Sequence, residues 1–252
     1  MSDKIIIAIP ARYGSQRFPG KVLARLAGKP VIQWAWEAAV KADMAERIVV
    51  ATEDQRVLDF LRSIGAKAVM TSPQCQSGTD RVWEACKDMD ADYIINFQGD
   101  EPFMTAETLK KAFNKLKASP DCHIGTACVR LSGEDIDNPN CVKIAMDSDG
   151  HALYFSRCPI PYHHPLSPIA EKYPYYLHLG FYIYRREALK KFVSLPQSPL
   201  EKLERLEQLR ALENGMRICV AEVDPLGPSI DTPEDLKAAE EYINKLAVSN
   251  EK

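Results

Sequence analysis

Five apolar side chains at residues 5–9 follow one another without polar alternation, the pattern of a parallel strand covered on both faces. Lys29 and Pro30 then open a helix, with Val31, Trp34, Ala35, Ala38 and Ala39 recurring at helical spacing to about residue 41. A second strand is predicted at 47–51, a helix at 53–64 stopped by Gly65, and a third strand at 67–70. This strand-helix alternation predicts an α/β chain with a doubly wound, mostly parallel sheet. A further apolar strand runs from 92 toward Gln98, followed by a surface helix at 105–116.

From about residue 122 the pattern turns antiparallel. A strand is expected at 123–130, a hairpin of 141–147 with 152–156 across a Ser-Asp-Gly-His turn, and an aromatic strand at 176–184. Residues 198–215 read as one helix with capping signals at both ends and a core stripe of Leu203, Leu206, Leu209 and Leu212. A last strand at 216–223 and a closing helix to about residue 247 complete the chain. The organisation expected is one domain over 1–252 with a smaller antiparallel insertion at roughly 122–185. That insertion would face substrate and partner, because tyrosines crowd 154–184 as they do at cores and subunit interfaces.

Composition narrows the function by exclusion. The net charge of −3, from 32 basic and 35 acidic residues, lacks the basic excess that binding nucleic acid or a membrane surface would need. No apolar run approaches the roughly 18 residues of a membrane span, and the N-terminus shows no signal-peptide pattern, so a cytoplasmic location is expected. Seven scattered cysteines without a C-x-x-C pair read as reduced packing residues rather than as a disulfide framework or a zinc site. His163 and His164 beside Pro165 read as plain loop.

The candidate chemistry begins where the first strand ends. Arg12, Arg17 and Lys21 fall at its carboxyl end, where ligands of such sheets bind, Gly14 and Gly20 open the backbone to an anion, and Ser15 adds a hydroxyl donor. The loop fits phosphate, yet it contains neither G-x-x-x-x-G-K-[ST] nor G-x-G-x-x-G, which removes the main support for P-loop and dinucleotide readings. Ser77, Gly78 and Thr79 offer hydroxyl and amide donors at a predicted helix start. Asp100 ends the strand that leads to Gln98, and a carboxylate facing the same crevice as the basic loop makes sense if Mg²⁺ bridges it to phosphate.

Three stretches together resemble one family. A-R-x-x-S-x-R-F-P-G-K at 11–21, Q-S-G-T-D-R at 76–81 and S-P-L-E-x-x-E-x-L-E-Q-L-R at 198–210 are similar to the sugar-activating cytidylyltransferases, and among them to those that activate 3-deoxy-manno-octulosonate (Kdo). The resemblance implies a Rossmann-like nucleotidyltransferase that transfers CMP from CTP to Kdo, releases pyrophosphate, serves lipopolysaccharide biosynthesis and forms a homodimer. It implies nucleotide contacts from Ala11, Arg12, Ser15, Lys21, Gln76, Ser77, Gly78, Thr79, Arg81 and Gln98, with Lys21, Arg12 and Asp100 catalytic. It makes Asp100 and Asp231 the Mg²⁺ ligands. The sugar would be read by Gln98, Arg157, His178, Tyr182, Glu207 and Gln208, with Arg157 able to clamp its carboxylate in two places. Cys75 and Cys158 depart from the family's usual residues. The same reaction on 8-amino-Kdo or a sialic acid is the alternative, and UTP or GTP as donor is a more distant one. A catalytically silent nucleotide-binding regulator fits poorly with retention of both carboxylates and Lys21.

Overall fold

Ile5–Pro10 forms β1, and every one of its residues is buried, as an unalternating apolar run requires. Burying an isoleucine side chain is worth roughly 1.5–3 kcal/mol, so Ile6, Ile7 and Ile9 alone make this strand a nucleus of the core. The computed structural model describes residues 3–15, 17–170 and 172–250, and these divide into two compact units.

The first unit comprises Met1–Leu109 and Leu226–Lys252. After β1 come the short antiparallel pair β2 (Arg25–Leu26) and β3 (Lys29–Pro30), then helix α1 (Val31–Ala42), β4 (Arg47–Thr52), α2 (Gln55–Ser63) and β5 (Ala68–Met70). Helix α3 (Gly78–Cys86) leads to β6 (Tyr93–Asn96). These four longer strands form a parallel sheet in the order β6, β1, β4, β5, with Ile7 opposite Ile48 and Ile95. The doubly wound parallel expectation therefore holds for this unit. Pro30 itself stands outside α1 as its N-cap residue, since its extended ψ of 144° cannot continue a helix.

The unit's C-terminal segment supplies a small second core. Leu26, Val31, Ile230 and Ala239 are buried together, with Phe18, Trp34 and Phe103 packed against them. The closing helix, Pro233–Asn250, is capped by a reciprocal bond set: Asp235 accepts from the amides of Asp231 and Thr232, and Thr232 Oγ1 accepts from the amide of Asp235.

Helix α4 (Ala106–Ala118) contains the boundary, and the second unit runs Lys110–Pro225. The expected 122–185 insertion lies within it, and the unit reaches further in both directions. Strand β7 (Ile124–Leu131) pairs antiparallel with β10 (Tyr175–Arg185) and parallel with β11 (Ile218–Glu222). The β8 (Lys143–Met146) and β9 (Ala152–Ser156) hairpin forms as its turn chemistry predicts, and β8 joins β10. Helix α5 (Arg186–Ser194) follows β10.

The single helix expected at 198–215 is two. Helix α6 (Pro199–Glu204) and helix α7 (Gln208–Glu213) are separated by Arg205 in the left-handed region at φ 56°. A buried pair goes with the break: the Arg210 guanidinium meets both carboxylate oxygens of Glu201 at 2.6 and 2.8 Å, whereas a straight helix would separate the two residues by about 13 Å along its axis. The leucine stripe is split as a result, with Leu206 and Leu209 in the core and Leu203 80% exposed.

Candidate functional site

The loop after β1 is shaped by its own backbone before any ligand is considered. Tyr13 O accepts from the amides of Ser15 and Gly20, which closes the loop on itself, and Ala11, buried, donates to Ala51 O. Gly20 sits at φ 73°, and a Cβ there would lie 3.0 Å from the Tyr13 ring, so only glycine fits this turn comfortably. Arg12 is exposed, and Ser15 Oγ accepts from the Phe18 amide at 3.4 Å.

Lys21 ends this loop in a buried position and meets two carboxylates. Its Nζ donates to Asp100 Oδ2 at 2.6 Å and to Asp231 Oδ1 at 2.8 Å, and Arg17 Nη2 holds the other Asp231 oxygen at 2.8 Å. Burial pulls the Lys21 pKa down, but Asp100 and Asp231 outweigh it and hold the ammonium above its ordinary range. Burial likewise pushes Asp231 up, and Lys21 and Arg17 more than reverse that, leaving its carboxyl below the usual value. Asp100 and Asp231 are 131 residues apart in sequence, and a backbone bond explains the meeting: the Ile230 amide donates to Asp100 O at 3.0 Å while the Ile230 side chain is fully buried.

Glu101 was not singled out as a site residue by sequence reasoning. Burial, reinforced by Asp100 and Asp231, pushes its carboxyl up to about 8. The signal was present in the Asp-Glu-Pro run, but which of two adjacent carboxylates is desolvated is a tertiary property. Arg17 was recognised as a loop cation, while its partnership with Asp231 became visible only in the fold.

The segment 76–81 behaves as a helix start. Ser77 caps α3 by accepting from the Asp80 amide at 3.1 Å, and Asp80 returns the bond to the Ser77 amide. Thr79 is buried and accepts from Asn96 Nδ2 at 3.0 Å, and Asn96 Oδ1 accepts in turn from Gln98 Nε2. Gln76 precedes the cap, and Gly78 brings its backbone against Pro10. Arg81, expected at the nucleotide, is 1% exposed: it faces Thr71 Oγ1 and the Glu53 carboxylate, and Glu53 also accepts from the Tyr13 amide at 3.0 Å. Its charge thus braces the start of the basic loop from within.

The two aspartates offer hard oxygen donors, the ligand type that Mg²⁺ prefers. One small cation, the Lys21 ammonium, is already within 2.8 Å of both, so their oxygens converge closely enough to share an ion. The residues present fit a divalent metal.

In the second unit His178 and Tyr182 come together on β10, with ring centroids 5.5 Å apart, and Phe155 packs edge-on to His178 at 4.9 Å. His178 Nε2 shares a hydrogen bond with Thr126 Oγ1 at 3.1 Å, and that hydroxyl also donates toward the Leu179 and Phe181 carbonyls. Burial alone pulls the imidazole down to about 3, so it is neutral at pH 7. Burial also raises the Tyr182 hydroxyl well above its ordinary value, helped by Glu207, which is close enough to act on it. Gln208 is buried at the start of α7. Arg157 is held by backbone: Nε donates to Glu204 O at 2.9 Å and Nη1 to Pro139 O at 2.8 Å. A carboxylate clamped by Arg157 would have to share those donors.

Comparison with known proteins places this geometry. The cytidylyltransferase family profile matches residues 6–218. The 3-deoxy-manno-octulosonate cytidylyltransferase of Elusimicrobium minutum is 49% identical, with 96% of this chain and 99% of that protein covered. The protein of the same name from Chlamydia pneumoniae is 42% identical, covering 95% of this chain and 93% of its own. A solved structure of CMP:2-keto-3-deoxy-manno-octonic acid synthetase complexed with CTP superposes with a TM-score of 0.90 at 40% identity, covering 96% of this chain and 99% of that one. The 4-diphosphocytidyl-2C-methyl-D-erythritol synthase of Anaerococcus prevotii, 14% identical with a TM-score of 0.61, shares the fold.

Proposed function

The chain belongs to the cytidylyltransferase family, and from that premise we propose that it transfers CMP from CTP to the anomeric hydroxyl of Kdo. The sugar oxygen attacks the α-phosphorus, the bond from that phosphorus to the bridging oxygen breaks, pyrophosphate leaves, and the hydroxyl proton goes to solvent. The observation that carries the reading is the cluster of Lys21, Asp100 and Asp231 at the end of β1, in a chain nearly half identical over its length to a Kdo cytidylyltransferase.

The protein's share of such a displacement is positioning and charge neutralisation. Lys21 and Arg12 would hold the triphosphate, and the amides and hydroxyls at 76–79 would read the nucleotide. Asp100 and Asp231 would hold Mg²⁺, which when bound neutralises phosphate charge and acidifies the attacking hydroxyl. Neutral His178, the Tyr182 hydroxyl, Gln208 and Glu207 would read sugar hydroxyls, and Gln98 and Arg157 would complete the set. A pocket lined this way rejects sugars that leave its buried polar atoms unpaired. We read the exposed Leu153, Tyr162, Leu166 and Ile169 of the second unit as material for a homodimer interface.

Pyrophosphate release measured over CTP, UTP and GTP, each with Kdo, 8-amino-Kdo and a sialic acid, tests the reading. CTP with Kdo should give the highest kcat/KM. A tenfold preference for another sugar, about 1.4 kcal/mol of transition-state binding, would overturn the acceptor assignment. Light scattering should give twice the chain mass of 28.3 kDa.

A further inference from the structure

Three side chains from two segments of the second unit converge away from the residues considered above, and a fourth, on a neighbouring strand, stands beside them. Asp121 and Cys122 precede β7, His151 ends the β8–β9 turn, and Cys219 lies on β11. One ligand atom from each of Asp121, Cys122 and His151 lies within 4.8 Å of the others. The fourth residue, Cys219, is the antiparallel bridge partner of His151, and its thiol is close enough to act on the Cys122 thiol. Bridge partners place their side chains on the same face of a sheet, roughly 4.5–5.5 Å apart at Cβ.

We propose that Asp121, Cys122, His151 and Cys219 form a structural site for a thiophilic divalent cation, Zn²⁺ or its like, that pins β7, β11 and the β8–β9 hairpin together. Two sulfurs, one imidazole and one carboxylate are a tetrahedral zinc donor set. Ligand atoms around such an ion lie roughly 3.5 Å apart, given metal bonds of about 2.0–2.3 Å, so modest side-chain rotation closes the shell. Each thiol releases its proton to solvent as it binds.

The surroundings suit a metal more than they suit the bare residues. Asp147 accepts from the backbone amides of Asp149 and His151 at 2.9 and 2.8 Å, and its second oxygen meets His151 Nδ1 at 3.0 Å. That carboxylate therefore orients the imidazole, the outer-shell arrangement that ligating histidines commonly have. It also makes the rival grouping of Asp147, Asp149 and His151 a saturated turn rather than an ion cage. Two thiolates and one carboxylate around Zn²⁺ leave one negative charge, and Arg217, paired with Asp121, and Lys115, close enough to act on both thiols, are there to balance it. Cys122 and Cys219 are buried, while the Asp121 side chain is 49% exposed and gives an ion its way in.

Titration of the reduced, chelator-stripped protein with Co²⁺ tests this directly. One equivalent should bind with a near-ultraviolet thiolate-to-cobalt band and intense visible bands of a tetrahedral ion, and Zn²⁺ should bleach both. Ions held by Asp100 and Asp231 have only oxygen donors and contribute no such band. His151→Gln, in a hairpin turn where the fold tolerates it, and Cys219→Ser should each weaken binding at least tenfold. Asp147→Asn should weaken it about 10–100-fold, and Cys158→Ser should leave the spectrum unchanged. Absence of the thiolate band in the native protein, or its persistence at full strength in His151→Gln, would overturn the site.

Discussion

Lys21 and His178 have nearly the same exposure, 7% and 8%, and each is a base lodged in one of the two units, yet they stand in opposite charge states. Two carboxylates answer the Lys21 ammonium and keep it charged; a single hydroxyl and aromatic rings answer His178, and desolvation leaves it neutral. Burial by itself therefore says little about the charge a group carries, and the partners decide. Around Lys21 the first unit gathers charged partners. Around His178 the second unit gathers neutral partners.

The largest effects should come from breaking the charged side of this comparison. Asp100→Asn and Asp231→Asn should each cut turnover by roughly 10³ with the fold intact, and Lys21→Ala by about 10²–10³, mostly in kcat. EDTA should abolish wild-type activity, and full turnover by Asp100→Asn at ordinary Mg²⁺ would sink the ligand assignment.

The neutral side is tested by pH. The folded pKa of His178, about 3, lies below the ordinary 6.5, so the unfolded chain takes the proton first and stability falls as pH drops from 6.5 toward 3. The slope from this one proton is about 1.4 kcal/mol per pH unit between those values. Denaturant melts of wild type and His178→Gln between pH 7.5 and 4.5 isolate it, and identical pH profiles would show that the histidine titrates normally.

A smaller effect is expected from Gly99→Ala. The new Cβ would meet Pro10 O and Ile32 Cδ1 at 2.9 Å each, so the strand end carrying Asp100 must shift. Overpacking of this kind costs about 1–3 kcal/mol, read as a lower melting midpoint and a weaker response to Mg²⁺. Leu203→Ser should change stability by less than about 0.5 kcal/mol, because that side chain is in solvent. A cost of several kcal/mol in the monomer would restore the leucine stripe.

Local pattern by itself determined the parallel strands of the first unit, the β8–β9 hairpin and the caps at Ser77, Ser198 and Thr232, since each depends on side chains within a few residues of one another. It also marked the basic loop and Asp100, because a motif at a strand end is contiguous in the chain. Tertiary structure alone decided what depends on distance in sequence. Ile230 had to be buried before Asp231 could join Asp100 and Lys21, and Glu201 reaches Arg210 only with the expected long helix broken at Arg205. Arg81 carries the same charge wherever it points, and only packing against Thr71 and Glu53 turned it inward. Periodicity reports which face of an element is apolar, whereas the partner of a buried charge is set by the fold, and that partner fixes whether the group is ionised.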